Sequence, residues 1–67
     1  MDEYTEVEII RNGEQQTVYF CDLSYGDYIP VIGETVDIGA HYSGDASYDG
    51  WLFYDQNGNS WFPEDVA

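Results

Sequence analysis

Apolar residues in this chain recur at every second position over short stretches and nowhere at helical spacing, so the pattern predicts strands broken by turns. The first pair of β-prone runs, Tyr4 to Ile10 and Gln15 to Cys21, flanks Asn12-Gly13, whose tolerance of positive φ suits a two-residue type I′ hairpin. With Asn12 and Gly13 as the loop, Arg11 pairs with Glu14, Val7 with Val18 and Thr5 with Phe20. Val7, Ile9, Val18 and Phe20 then share one face while Glu6, Glu8, Thr17 and Tyr19 share the other, the division expected of a half-buried hairpin.

Asp22 to Ile32 follows as an irregular loop containing Tyr25-Gly26-Asp27-Tyr28 and the stiff Ile29-Pro30. Gly33-Glu34 turns into a strand expected to hold Val36 and Ile38 inward and Asp37 outward. A second loop is expected from His41 to Gly50. The unbroken Trp51-Leu52-Phe53-Tyr54 reads as a strand covered on both faces; a turn at Asn57-Gly58 leads into Ser60-Trp61-Phe62, pairing Tyr54 with Trp61 and Phe53 with Phe62. Pro63 cannot extend a ladder and is placed to begin a single 3₁₀ turn. Residues 1–67 therefore read as one all-β domain of five to six short strands with an N-terminal hairpin at 4–21. So small an open sheet would expose long edges, and closure into a small barrel is expected.

A Gly-acidic step before a Val-x-Ile strand (Gly33, Glu34, Val36, Ile38), a strand opening with Trp51, a tight hairpin at Asn57-Gly58 and Phe62-Pro63-x-x-Val66 together resemble an SH3-like barrel over about the last 35 residues. The resemblance implies a β-barrel architecture. In SH3 domains the peptide groove uses an Ala-Leu-Tyr-Asp-Tyr segment, a Trp, a Pro and a Tyr of the last 3₁₀ turn. Here Trp51 and Pro63 have counterparts, Asp65 stands where the last Tyr is expected, and Val18-Tyr19-Phe20-Cys21-Asp22 is a poor echo of the first segment. The alternative function to be weighed is a peptide- or adaptor-binding module using Trp51, Pro63 and Tyr48 as an apolar groove.

Charge then changes the picture. Fourteen acids face one basic side chain, Arg11, for a net charge of −13, yet 43 % of residues are hydrophobic, enough apolar content to fold rather than remain disordered. A surface with one Arg cannot neutralise phosphates, which argues against direct binding of nucleic acid or anionic lipid and leaves basic proteins as partners. The charge also exceeds the magnitude of roughly 2 to 8 that solubility asks of a small domain. A protein of this kind can occupy the phosphate-binding surface of a nucleic-acid-binding protein and inhibit it, the logic of many phage-encoded inhibitors and of immunity proteins that block basic nucleases. No membrane span or signal peptide is visible, and one cysteine leaves no intramolecular disulfide, so a reducing, cytoplasmic setting is expected.

The residues expected to contact such a partner are acids in loops or turns and the aromatics near them: Tyr25, Asp27, Tyr28, Asp45, Tyr48, Asp49, Trp51 and Asp55. Trp61 and Phe53 are assigned to the core. Asp45-Ala46-Ser47-Tyr48-Asp49-Gly50 matches the start of an EF-hand calcium loop, making Asp45, Ser47 and Asp49 a candidate cation site, but loop position twelve is Gln56 rather than a bidentate Glu. A turn rich in Asp and Gly is the favoured assignment there. His41 and Cys21 are single and without partners that would define a base or an oxyanion hole, so neither catalysis nor a cofactor is expected.

Overall fold

The computed structural model describes all residues, Met1–Ala67. Its elements are β1 (Glu6–Arg11), β2 (Glu14–Tyr19), a 3₁₀ turn (Phe20–Asp22), β3 (Tyr28–Ile29), β4 (Glu34–Asp45), β5 (Tyr48–Asp55), β6 (Ser60–Trp61) and one helical turn, α1 (Pro63–Val66). The strands form a single antiparallel sheet in the order β2-β1-β3-β4-β5-β6, and no ladder joins β2 to β6. The all-β class holds. No helix is long and apolar enough to cross a membrane.

The first hairpin has the expected register, with Val7 opposite Val18 and Arg11 opposite Glu14. Asn12 and Gly13 both take positive φ, 53° and 79°, as a type I′ turn demands. The strands are shorter than their β-prone runs. Phe20, Cys21 and Asp22 leave β2 for the 3₁₀ turn, and Asp2 holds Tyr4 and Thr5 in a turn of their own through its carboxylate and carbonyl.

Four expectations fail in the second half, each for a local reason. Residues 41–50 are strand rather than loop, because β4 and β5 pair as far as Asp45 opposite Tyr48, leaving only Ala46-Ser47 at the tip. Ile38 is 53 % exposed, because register shifts on either side of it turn its side chain away from the core that Val36 enters. At Asn57-Gly58 the ladder pairs Phe53 with Trp61 and Tyr54 with Ser60, one residue off the expected register. Only Gly58 takes positive φ there, and the Asp55 N–H donates to the Asn59 carbonyl at 2.9 Å, so the loop has three residues closed by a glycine bulge. The C-terminal turn is α-helical, its Phe62 N–H capped by Asp65 at 2.9 Å; the one 3₁₀ turn lies at Phe20–Asp22.

Val7, Ile9, Phe20, Leu23, Ile29, Val36, Phe53 and Val66 make one buried core, with Val18, Ile32, Ala40, Trp51 and Trp61 packed against it. Phe20 and Phe53 meet at 5.7 Å between ring centroids, so the two ends of the sheet bend round a shared centre. β4 runs close under the Leu23 backbone, and at Gly39 a Cβ would lie 2.7 Å from the Leu23 carbonyl oxygen. Emptying either Phe site costs about 3 to 5 kcal/mol, comparable with the whole stability of a small domain.

Candidate functional site

The long β4–β5 hairpin carries the site. Tyr42 lies directly opposite Trp51, and Gly44 opposite Asp49, so the pleat puts Tyr42, Asp49 and Trp51 on one face. The Tyr42 hydroxyl donates to the Asp49 carboxylate, and its ring meets that of Trp51 at 6.4 Å, edge on. That hydrogen bond, with burial and the Asp49 charge adding to it, raises the Tyr42 pKa.

Tyr48 sits on the other face and folds back over Gly50, where any Cβ would meet its hydroxyl at 2.7 Å and its ring carbon at 2.9 Å. Its O–H donates to the Trp51 carbonyl at 2.9 Å and its ring packs on Phe62 at 4.6 Å. Burial pushes the Tyr48 phenol up, reinforced by the nearby Glu64 and Asp65. Tyr42, Tyr48, Trp51 and Pro63 thus wall an open groove of about 510 Å³, completed by Asp49, Gly50 and the Met1-Asp2-Glu3 segment. That segment is held in place: the Asp2 N–H donates to Thr5 Oγ1 at 3.0 Å, and the Glu3 carbonyl accepts the Cys21 N–H at 3.0 Å.

Acids ring the aromatic walls. Asp2, Glu3 and Asp49 line the groove, and Glu64 and Asp65 act on Tyr48 from α1. No basic side chain offsets them, because Arg11 is bound to Asp27 through two hydrogen bonds of 2.8 and 2.7 Å and to the Asp22 carbonyl at 3.0 Å. An aromatic floor under carboxylates attracts a cationic side chain twice, by charge and by the ring quadrupole.

Of the residues expected at the site, Tyr48, Asp49 and Trp51 come together in this groove. Asp45 is exposed at the hairpin end, its Oδ1 accepting the Ser47 N–H at 3.1 Å. Tyr25 and Tyr28 are exposed but belong to β3 and the loop before it, away from the groove lining. Asp27 and Asp55 are corrections: they are 2 % and 0 % exposed, and no partner can touch them. Asp27 is withdrawn by Arg11 and by the Ser24 N–H at 2.9 Å. Asp55 is withdrawn by the Trp61 indole N–H at 2.8 Å and the Asn57 and Asn59 N–H groups. The acids that replace them, Asp2, Glu3, Glu64 and Asp65, are brought in by chain-end contacts that leave no local pattern.

The Asp45–Gly50 segment is the hairpin tip and not a wrapped cation loop, with Asp49 already engaged by Tyr42. No group of three His, Cys, Asp or Glu side chains is placed to hold a metal ion. His41 is exposed on β4, its Nδ1 3.0 Å from the Gly39 carbonyl and its ring stacked on Tyr54. Cys21 lies in the 3₁₀ turn rather than in a strand, and burial, aided by Asp22, raises its thiol pKa, which lowers its nucleophilic fraction. No protein-family model, curated protein or solved structure is significantly similar to the chain.

Proposed function

We propose that this is a non-enzymatic binding protein that docks on a basic protein through the Tyr42–Trp51 groove and inhibits it by covering its phosphate-binding surface. The observation that carries the reading is the meeting of Tyr42, Tyr48, Trp51 and Pro63 with Asp2, Glu3 and Asp49 in one groove. The carboxylates supply long-range attraction and fast encounter, and the aromatics supply short-range contact at low entropic cost. With Asp27 and Asp55 withdrawn from the fourteen acids, twelve remain at the surface, and no cationic side chain there is free to oppose them.

The test uses a labelled DNA duplex bound to a purified lysine- and arginine-rich DNA-binding protein. Wild type is expected to displace the duplex at low salt, to lose about tenfold or more in potency at high salt, and to fail as Trp51→Ala or as Asp49→Asn with Glu64→Gln and Asp65→Asn. Absence of displacement at every salt concentration sinks the proposal.

A second reading is supported by the same groove: Trp51 and Pro63, which have counterparts in the peptide groove of SH3 domains, meet Tyr48 there. As an apolar peptide module the protein binds with little dependence on salt and still loses binding on Trp51→Ala. The salt response separates the two readings.

A further inference from the structure

The two outer strands of the sheet are protected unequally. β6 has two residues and runs directly into Phe62, whose N–H is taken by Asp65, and Pro63, which has no N–H to donate to an added ladder. β2 has six residues in unbroken register with β1, and it contains no proline, lysine or bulge, the usual devices that blunt an edge. The Phe20 N–H donates to the Thr5 carbonyl at 2.8 Å, and Val18 opposite Val7 and Gln16 opposite Ile9 continue the same alternation. Gln15 and Thr17 therefore turn their N–H and C=O groups to the open side, as Tyr19, whose carbonyl begins the 3₁₀ turn, turns its N–H, and all three residues are exposed.

We propose that this edge takes up an extended, lysine- or arginine-rich segment of a partner protein as an added antiparallel or parallel strand. Main-chain hydrogen bonds to Gln15, Thr17 and Tyr19 supply the affinity, and charge supplies the selection. Glu6 and Asp22 line an open groove of about 530 Å³ beside the strand with Thr17, Val18 and Tyr19, and Glu8 accepts the Thr17 hydroxyl at 2.7 Å on the same face. An incoming strand with a basic residue at every second position lays those side chains over Glu6 and Glu8 and points its apolar residues toward Val18.

A second copy is the wrong occupant. The chain has one basic side chain, already committed to Asp27, so two β2 edges brought together face carboxylate with carboxylate. Negative charge replaces the missing edge guards: it turns away copies of the same chain and admits a cationic strand.

The proposal is tested with the full ¹⁵N-labelled chain and an acetylated, amidated peptide of four Lys-Val repeats. The amide signals of Gln15, Thr17 and Tyr19 are expected to move most and to exchange more slowly with solvent. The same peptide N-methylated on one alternate set of amides is expected to bind about tenfold or more weakly, with little loss for the other set, because only one set faces β2. Thr17→Pro is expected to abolish the response; the N-methylated peptides leave the protein unchanged and so decide the matter if that variant fails to fold. Equal binding of both N-methylated forms, equal binding of a Glu-Val repeat, movement confined to Tyr42 and Trp51, or sedimentation showing a dimer whose formation Thr17→Pro blocks, each overturns it. The edge and the aromatic groove fail separately, since the first is read at β2 amides and the second at the Trp51 indole.

Discussion

Asp27 and Asp55 are both buried in a protein whose other acids crowd the surface, and they are stabilised in opposite ways. Asp27, at the β3 end, meets the chain's one cation: Arg11 grips both Asp27 oxygens while the Arg11 side chain stays 31 % exposed. Asp55, at the β5 end, meets no cation and is held by neutral donors, the Trp61 indole and the backbone N–H groups of Asn57 and Asn59. The difference shows that a carboxylate can be buried without a salt bridge when a tight turn aims enough N–H groups at it. It also explains the turn. The Asx-type hydrogen bonds from Asn57 and Asn59 give Asn57-Gly58 a three-residue loop, whereas Asn12-Gly13, free of such a neighbour, keeps the two-residue form.

The largest expected effect comes from breaking the neutral case. Asp55→Ala strips the acceptor from three donors at once and dissolves the turn that sets β6, so calorimetry should show a melting temperature lower by roughly 15 °C, or no cooperative unfolding at all. A change of only a few degrees would mean that water replaces the carboxylate at little cost.

Next comes the paired case. Arg11→Met leaves Asp27 buried without its cation and should cost about 2 to 3 kcal/mol in urea unfolding, less than for a fully buried pair because Arg11 is partly solvated. Adding Asp27→Asn removes the orphaned charge and keeps an acceptor for the Ser24 N–H, so the double variant should recover about 1 kcal/mol or more. An additive result would show that the ion pair has no coupling.

Acid should then probe the neutral site. Burial pushes the Asp55 carboxyl up, but hydrogen bonds from Trp61, Asn59 and Asn57 outweigh it and leave the group below its ordinary value. A folded value below the unfolded one makes the contribution complete above the unfolded value near pH 4, and lost as pH falls through the folded value. Urea midpoints should therefore drop below about pH 4 in wild type, with a flatter acid limb in Asp55→Asn. The smallest effect belongs to the surface: salt should raise the melting temperature by a few degrees by screening the twelve surface acids, and a flat or falling response would show that they do not repel one another appreciably.

Much of the fold was legible because its determinants are close in sequence. Val7, Ile9, Val18 and Phe20 alternate about a turn dipeptide whose conformation is nearly intrinsic, and the first hairpin follows. The β4–β5 hairpin was hidden because Gly44 and Gly50 read as loop residues, while nothing local marks Gly39 as a close approach. Their roles emerge only from close approaches, Gly39 to the Leu23 backbone and Gly50 to the Tyr48 ring. Once residues 41–50 are taken as loop, the opposition of Tyr42 and Trp51 cannot be foreseen, and half of the candidate groove disappears with it.

The sequence by itself determined the all-β class, the first hairpin and its register, the aromatic core and the excess of acid over base, because these depend on alternation, turn chemistry and composition. Which acids stay at the surface was decided only by tertiary structure. Asp27 and Asp55 carry the same local signal as Asp45 and Asp49, a carboxylate in a turn-rich stretch, and what withdraws the first two is a guanidinium sixteen residues away and an indole six residues on. Burial of each charge is completed by a donor that the fold delivers from beyond the turn, and no local pattern encodes that delivery.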